Sequence, residues 1–305
     1  MELIVDDQAP IHVSGHANEP AGTALAAQEA VRLALDCEQL GWDGYWAAAG
    51  PDTTGHGYVL AAMASAAAAI TASIRVGSGL VLPADGGPVR GVAGFMSLAH
   101  LHPRRTDLIV TPDPDTMHGP HAPSPRLAAL LAALRYEETP DASSPPPGTT
   151  PRIWLTGRHT EDAIAAATYG LPFCLRLPAD RLPHPEPLDY YRMFCETESD
   201  PEAQRVALAL RIACAEKPDD AAAMRALLAW SEPAEPHPSR PAPPSSARPR
   251  TLVGTPDQIR PELNRLLDLY RPDALAVSTP CPDYRLRTQS YALVQELITR
   301  RRPFP

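Results

Sequence analysis

The segment Leu35–Gly55, LDCEQLGWDGYWAAAGPDTTG, contains the end of a helix, a short strand and the loop after it. Gly41 follows a stretch with apolar residues at helical spacing, Ala24–Leu40, in the position of a helix C-cap. The apolar run Gly44–Trp46 predicts a strand, and the alanines, glycine and proline after it predict a loop. Helix, strand and loop in this order are typical of a parallel βα repeat.

The same alternation continues along the whole chain. The other strand candidates are Leu3–Val5, Ile74–Leu82, Thr106–Thr111, Arg152–Leu155, Pro172–Leu177, Val206–Ala213 and Ala274–Ser278. Helical patterns lie between them; Thr160–Tyr169 has a capping threonine and ends before Gly170, and Thr255–Tyr270 opens with Thr-Pro at the N-cap and first helical position. Eight strands alternating with helices predict an α/β fold, a (β/α)8 TIM barrel.

Two segments interrupt this alternation, because they are too rich in proline and serine to form a helix or a strand. They cover residues 139–151 (TPDASSPPPGTTP) and 231–250 (SEPAEPHPSRPAPPSSARPR). We interpret both as loop insertions within a single domain, residues 1–305, rather than as linkers between domains.

Composition and charge exclude several classes of function. A formal net charge of −9 argues against a nucleic-acid partner, which requires clustered Lys and Arg. No apolar stretch is long enough for a membrane span, and the first residues, MELIVDD, do not resemble a signal peptide. Five cysteines without CxxC spacing predict neither a disulfide framework nor a zinc site. Together these features predict a cytoplasmic protein.

In a (β/α)8 barrel the active site is built from the loops that follow the C-terminal ends of the strands. The candidate loops therefore include Ala47–Gly55, Pro112–His121 and Gly157–Thr160. Asp7, at the end of the first strand, also falls at this edge, although we expect it to make a structural hydrogen bond to a neighbouring loop.

A series of short motifs resembles one known family. The motifs are DQAPI (7–11), LGWDGYWAA (40–48), SIRVGSG (73–79), LHPRRTDL (101–108), IWLTG (153–157), YGLPF (169–173), YYRMF (190–194), VGTPDQI (253–259) and RTQSYALVQEL (287–297). In this order and spacing they resemble the bacterial luciferase-like flavin-dependent monooxygenases, in the single-subunit luciferase family oxidoreductase branch. The resemblance implies a TIM barrel that binds reduced FMN, reacts it with oxygen and inserts one oxygen atom into a substrate. It also implies a flavin reductase as partner and a dimeric assembly.

The chain departs from that family where the flavin would bind. After the second strand the family has Ala-Glu-His-His, whereas this chain has Ala49, Gly50 and Pro51 after the first alanine. The family arginine that contacts the FMN phosphate corresponds to Pro112, which has no donor. Polar side chains have thus been lost at two separate places around the expected flavin.

The family's phosphate loop is also altered. The family reads Gly-Ser-Ser with a later serine, and this chain reads Gly157-Arg158-His159, then Thr160, with Asp162 in place of the later serine. The N-terminus of the following helix can still attract an anion, and Arg158 can replace the lost arginine. The carboxylate of Asp162 suits a helix N-terminus but repels a phosphate. We therefore interpret Gly157–Thr160 as a vestigial phosphate loop.

Polar residues in the remaining loops offer few alternatives. Asp52 and His56 form a candidate acid–base pair in the emptied second loop, or else a turn cap and a solvated imidazole. His118 and His121 have H-x-x-H spacing, but Gly-Pro between them prevents a helix and no carboxylate is near, so we predict no metal site. The remaining carboxylates, Asp113 and Asp115, are typical of turns.

Three functions remain open. The first is a luciferase-like monooxygenase or oxidoreductase homologue with replaced flavin residues, acting on an apolar small metabolite in a biosynthetic pathway of secondary metabolism, with altered or absent use of FMN. The second is a flavin-free enzyme for a non-redox step, such as a cyclisation or a proton transfer. The third is a non-catalytic partner subunit of an active homologue, in a heterodimer rather than a homodimer.

Overall fold

The structure, a computed structural model, describes residues 1–7, 20–47, 57–81, 92–111, 125–135, 149–177, 184–195, 204–231 and 251–300. Its strands are Glu2–Asp7 (β1), Gly44–Ala47 (β2), Arg75–Val81 (β3), Thr106–Thr111 (β4), Arg152–Gly157 (β5), Phe173–Arg176 (β6), Val206–Cys214 (β7), Thr251–Gly254 (β8) and Ala274–Ser278 (β9). All pairings are parallel, in the order β1-β2-β3-β4-β5-β6-β7-β9, and β9 pairs with β1. This closed eight-stranded ring confirms the predicted (β/α)8 barrel.

Helices follow the strands in turn. They are Pro20–Gln39 (α1), Gly57–Ile70 (α2), Val92–Leu101 (α3), Pro125–Arg135 (α4), Thr160–Thr168 (α5), Glu186–Phe194 (α6), Pro218–Ser231 (α7), Pro256–Tyr270 (α8) and Tyr284–Thr299 (α9). Gly41 and Gly170 adopt the positive φ values of 84° and 62° that end α1 and α5 as predicted. Thr255 is the N-cap of α8, also as predicted, but the N-cap of α5 is His159 and not Thr160.

The ninth strand, β8, is not among the predicted ones. Among the described strands it pairs with the C-terminal part of β7 alone, Arg211–Cys214, and so lies beside the barrel ring rather than in it. The sequence does not indicate it, because four residues between a Pro-rich segment and a helix cap are too few to show an alternating pattern.

The barrel lumen is filled by side chains from alternate strand positions. Its middle layer is a separate apolar cluster of Ile4, Trp46, Ile109, Trp154, Cys174, Ala207, Ala274 and Ala276. The two tryptophan rings lie 5.7 Å apart and fill the space that the small residues leave. Residues on the opposite faces of the same strands pack against the helices in the larger core, so each strand contributes to two apolar layers.

Ion pairs fill the N-terminal end of the lumen. Asp107, fully buried, accepts hydrogen bonds from Arg75 Nη2 at 2.5 Å and from Arg152 Nη2 at 2.9 Å. Glu2 pairs with the same Arg152 at 2.7 Å and with Arg205 at 2.6 Å. Charged groups therefore occupy this end of the barrel; we call the opposite end, at the C-terminal ends of the strands, the mouth.

None of the described helices is long and apolar enough to cross a membrane. Residues 139–148 and 232–250 lie outside the described part of the chain, so the loop insertions and the single domain over 1–305 stay predictions. The five cysteines are all free thiols, and four of them are buried.

Candidate active site at the barrel mouth

Most loops around the mouth, and with them many predicted site residues, lie outside the described residues. These are Ala49, Gly50, Pro51, Asp52, His56, Pro112, Asp113, Asp115, His118 and His121. Their roles therefore stay predictions. The structure does describe the C-terminal ends of the strands and the whole turn from β5 to α5, which the sequence predicts as a phosphate loop.

The turn from β5 into α5 places the four predicted loop residues together at the mouth. Gly157 is the last residue of β5, Arg158 is half-buried, His159 is exposed, and Thr160 is the first residue of α5. The backbone turns here because His159 is extended, with φ −118° and ψ 162°, before the helix begins. Backbone amides at such a helix start lack intrahelical partners and are the usual donors to an anion.

The anion at this turn is the carboxylate of Asp162, from the first turn of α5. Its Oδ2 accepts hydrogen bonds from the backbone N–H of Arg158 at 2.8 Å and of His159 at 3.1 Å. A Cβ on Gly157 would overlap the Asp162 side chain, so the glycine makes room for this carboxylate. The two amides that would face a bound phosphate are therefore already used within the protein.

The turn is partly desolvated, which changes the ionisation of its charged groups. Burial raises the pKa of Asp162 above its ordinary value, although the two amide hydrogen bonds act in the opposite direction. Burial also lowers the pKa of Arg158, and the positive charge of Arg176 lowers it further. The second effect shows that two guanidinium groups lie close together at the mouth.

Strand register explains why these arginines are neighbours and adds a third. Gly157 pairs with Leu175, so Arg158 and Arg176 follow one another across β5 and β6. Two members of the lumen cluster precede these arginines by an even number of residues: Trp154 lies four before Arg158, and Cys174 lies two before Arg176. Ala207, also in the cluster, lies four residues before Arg211 on β7. Arginines thus lie at the mouth on β6 and β7 and directly after β5; we call Arg158, Arg176 and Arg211 the arginine arc.

A carboxylate on the far side of the lumen faces this arc. Asp6 Oδ2 of β1 accepts from Arg176 Nη1 at 3.2 Å, and these two strands are not adjacent, so the pair spans the lumen. Burial lowers the pKa of Arg176, but attraction to Asp6 and Cys174 and the hydrogen bond to Asp6 together outweigh burial and raise that pKa above its ordinary value. The guanidinium of Arg176 is therefore permanently charged.

Hydroxyl groups complete the described part of the mouth. Thr111 and Thr156 at the ends of β4 and β5 have their Oγ1 atoms 3.0 Å apart. Ser278, the last residue of β9, pairs in register with Arg211 and is 2% exposed. Its Oγ has no hydrogen-bond partner among the described residues. The mouth thus combines guanidinium, carboxylate and hydroxyl groups, which can bind and orient a polar ligand.

Asp7 lies on the side of β1 that faces the helices, because it continues the alternation of Leu3 and Val5 in the larger core. Its Oδ2 accepts a hydrogen bond from the buried hydroxyl of Tyr45 on the adjacent strand β2 at 2.9 Å. The expected hydrogen bond from Asp7 to a neighbouring loop stays a prediction. Burial lowers the pKa of Arg287 on α9, but attraction to Asp7 and to other neighbours, among them Tyr45 and Glu29, together outweighs burial and raises it. The motifs that contain Asp7, Tyr45 and Arg287 thus meet in one buried cluster between barrel and helices.

The described residues contain no group of three or more His, Cys, Asp or Glu side chains that would hold a metal ion. Asp6, like Asp7, ends the first strand at the edge where the sequence predicts the active site, whereas Arg176, Arg211 and Ser278 are not singled out by the sequence. A signal for them exists: each continues the lumen-facing alternation of its strand up to the C-terminal end, where the rules of the barrel place the active site. Polar residues at these alternate positions mark the mouth.

Comparison with known proteins identifies relatives of the whole chain. Residues 7–271 match the family model described as luciferase-like monooxygenase. The chain is 25% identical over 344 residues to the uncharacterized protein YceB of Bacillus subtilis (strain 168), covering 98% of this chain and 99% of that protein. The crystal structure of apo-MsnO8 superposes with a TM-score of 0.74 at 27% identity, covering 98% of both chains.

A more distant structural match is a complex with FMN. It is the oxygenating constituent of 3,6-diketocamphane monooxygenase from Pseudomonas putida, in complex with FMN. It has a TM-score of 0.65 at 13% identity and covers 100% of this chain and 99% of that chain. At this identity the likeness concerns the barrel fold.

Proposed function

The chain belongs to the luciferase-like monooxygenase family, and from that premise we propose that it is a family oxidoreductase homologue whose usual FMN-binding and catalytic residues are replaced. It acts on a small metabolite with an apolar body in a biosynthetic pathway, with altered or absent use of flavin. Flavin-type cofactors are bound by relatives of this chain, and we propose that this chain differs from them in its flavin site.

The observation that carries the proposal is the position of Asp162. Its carboxylate accepts from the two backbone amides at the start of α5, at 2.8 and 3.1 Å. A phosphate in the same place would lose these donors and would lie against a buried carboxyl group. Two like charges a few ångströms apart in a partly desolvated site repel each other by several kcal/mol, about 4 kcal/mol at 4 Å with an effective dielectric constant near 20. The described residues of this turn therefore do not fit the phosphate of FMN.

The sequence supports the same proposal at the loops that lie outside the described residues. Ala49, Gly50 and Pro51 stand where the family has Glu-His-His, and Pro112 stands where it has an arginine. We propose that Asp52 and His56 provide whatever acid–base chemistry the second loop retains. Arg158 takes the place of the missing phosphate ligand only if the cofactor binds in a changed position.

One observation favours the flavin-free alternative, an enzyme for a cyclisation or proton transfer. Guanidinium, carboxylate and hydroxyl groups converge on the mouth from β1, β6 and β9, and Asp6 is held by Arg176 at 3.2 Å. Such a set binds and polarises a substrate without a redox cofactor. In this alternative the arginine arc holds the substrate and Asp6 is the described carboxylate closest to it.

Another observation favours association with a second copy or with a homologue. The outer faces of α2 and α3 expose apolar side chains, with Ile70 at 47% and Leu101 at 74% exposure. Both residues end helices that follow neighbouring parallel strands, so they lie at the same end of the barrel. We propose this face for a homodimer or, if the chain is a partner subunit, for a heterodimer, within the cytoplasm.

The test is an anaerobic titration of the purified protein with reduced FMN, followed by exposure to oxygen in the presence of a flavin reductase. We expect no saturation in the low-micromolar range. Saturation there would contradict the replaced-site proposal. Without binding, purification from cells that contain homologous subunits separates the remaining alternatives: a stoichiometric homologue supports a partner subunit, and a protein recovered alone supports a flavin-free enzyme.

A further inference from the structure

We propose that the arginine arc binds the carboxylate of a small organic acid at the barrel mouth. This inference names the substrate class for the site described above, and it rests on the proposed function only in taking the mouth as the ligand site. It does not depend on flavin, because it concerns the guanidinium groups of the arc and not the backbone amides of the β5–α5 turn.

The three arginines of the arc lie next to one another across the barrel wall. Arg158 follows the Gly157–Leu175 pair in register, Arg176 pairs with Ala209, and Arg211 pairs with Ser278. Neighbouring strands in a sheet lie about 4.8 Å apart, so three guanidinium groups on adjacent strands can converge on one anion. A planar guanidinium matches a carboxylate with two parallel N–H···O bonds.

The second argument is a buried hydroxyl beside the arc. Ser278 Oγ is buried and has no hydrogen-bond partner among the described residues, and Ser278 shares its register position with Arg211. A buried hydroxyl without a partner costs free energy, which an acceptor bound at the mouth would recover. A ligand oxygen between Arg211 and Ser278 accepts from both groups.

Local charge decides which anion fits. The chain as a whole carries a net charge of −9, so anions are repelled except where cations are concentrated. At the mouth the three arginines of the arc lie beside two described carboxylates, Asp6 and Asp162. A carboxylate ligand, with one negative charge, is repelled less by these two carboxylates than a phosphate dianion is.

The rest of the ligand meets apolar groups. Ala209 lies between Arg176 and Arg211 in the sheet and is half-buried, and the layer beneath consists of the tryptophans and alanines of the lumen. In a fatty or aromatic acid, the carboxylate would therefore contact the arginine arc and the apolar body would contact Ala209 and the lumen layer. This matches the apolar metabolite that the family resemblance implies and adds the acidic group.

The experiment measures equilibrium binding of two monocarboxylates, octanoate and benzoate, against their neutral amides, octanamide and benzamide, by isothermal titration calorimetry. We expect at least one carboxylate to saturate the protein and its amide to bind about tenfold more weakly or not at all. Equal binding of acid and amide, or failure of both acids to bind, overturns the proposal. Stronger binding of inorganic phosphate than of either acid overturns the choice of a monoanion.

Variants assign the binding to the arc. Arg211→Met is expected to weaken the carboxylate by about tenfold or more, and Ser278→Ala by several-fold, because each removes one donor. The matched control is Arg205→Met, at the other end of β7, where the arginine pairs with Glu2 at 2.6 Å; it should leave the affinity unchanged. Loss of affinity in the control with none in Arg211→Met or Ser278→Ala would refute the assignment.

Failure here is distinguishable from failure of the proposed function. Tight binding of reduced FMN would contradict the replaced flavin site and leave the carboxylate result intact. Absence of carboxylate binding would contradict the arc and leave the flavin result intact. If Arg211→Met does not fold, as judged by circular dichroism, Ser278→Ala alone decides, since loss of one hydroxyl leaves the barrel strands in place.

Discussion

At the scale of single residues, Asp162 and Gly157 act as a pair. The Asp162 carboxylate accepts hydrogen bonds from the backbone amides of the β5–α5 turn, and only glycine at position 157 leaves room for its side chain. The sequence shows that aspartate replaces the family serine, but the hydrogen bonds to Arg158 and His159 depend on the geometry of the turn. Asp162 would thus oppose a phosphate in two ways: its charge repels the anion, and its carboxylate already accepts the two backbone N–H groups that a phosphate would need.

Asp107 is the residue whose ionisation matters most for stability. Burial alone would raise the pKa of Asp107, but attraction from Arg152 and Arg75, with their hydrogen bonds, outweighs burial and lowers it to about 2. A lowered pKa means that the ionised carboxylate stabilises the fold above the unfolded value of 3.8, and that this contribution is lost as the pH falls towards about 2.

We predict that Asp107→Asn lowers the free energy of unfolding at pH 7 by about 3–5 kcal/mol, because it leaves two half-buried arginines, Arg75 and Arg152, with a weaker partner. The difference from the native protein should shrink as the pH falls from 4 towards 2, since the native carboxylate is then protonated. Urea unfolding at several pH values measures this. The control is Asp257→Asn, a surface residue 4.0 Å from Arg260, which should change stability by less than about 1 kcal/mol. A pH-independent difference would contradict the account.

The motifs DQAPI, LGWDGYWAA and RTQSYALVQEL meet in a buried cluster around Asp7. They contribute Asp7, Tyr45 and Arg287, with Tyr45 donating to Asp7 at 2.9 Å. Burial and the neighbouring carboxylate raise the pKa of Tyr45, so its hydroxyl remains a donor. These three residues therefore help to hold β1, β2 and α9 together.

At the scale of elements, β3 is shaped by the tryptophans of the lumen. A Cβ on Gly77 would lie 2.5 Å from Trp46 Cδ1 and 2.9 Å from Asp107 Cβ. Trp46 is held in turn by its indole N–H, which donates to Asp107 at 2.9 Å. The SIRVGSG motif therefore owes its first glycine to the close approach of three neighbouring strands.

We predict that Gly77→Ala lowers the free energy of unfolding by about 1–3 kcal/mol through overpacking of the lumen. The matched control is Gly94→Ala on α3, where the nearest atom to a new Cβ is Ala61 Cβ at 3.8 Å. This second change should leave stability unchanged or raise it by up to about 1 kcal/mol, because alanine is the better helix former. Thermal unfolding of both variants measures the difference; equal effects would contradict the described packing.

The helices and strands themselves follow from the sequence to a large extent. All eight barrel strands are predicted, because each is a short apolar run bounded by turn residues, and Gly41, Gly170 and Thr255 bound their helices as expected. β8 is missed because its four residues form half a ladder on β7, and this pairing is a tertiary contact that no local pattern indicates.

At the scale of the whole molecule, the barrel is predictable and the mouth only in part. Closure follows from counting alternating strands, and the motif at Gly157 predicts the turn from β5 into α5. That this turn is a vestigial phosphate loop stays a prediction. The arginine arc requires knowing which face of each strand enters the lumen and how β5, β6, β7 and β9 are registered. That information comes from pairing across the chain, so Arg176 and Arg211 become site residues only in the folded barrel.

The measurement that tests the central claim most directly is the affinity for FMN of the native protein and of Asp162→Ser, by quenching of flavin fluorescence. The substitution removes a charge and restores the family residue, and we predict that FMN binds Asp162→Ser about tenfold more tightly than it binds the native protein. Asp162→Asn, which removes the charge but keeps an oxygen able to accept from the amides, should give a smaller gain. Low-micromolar binding to the native protein, or no gain in Asp162→Ser, would contradict the claim that Asp162 occupies the phosphate site.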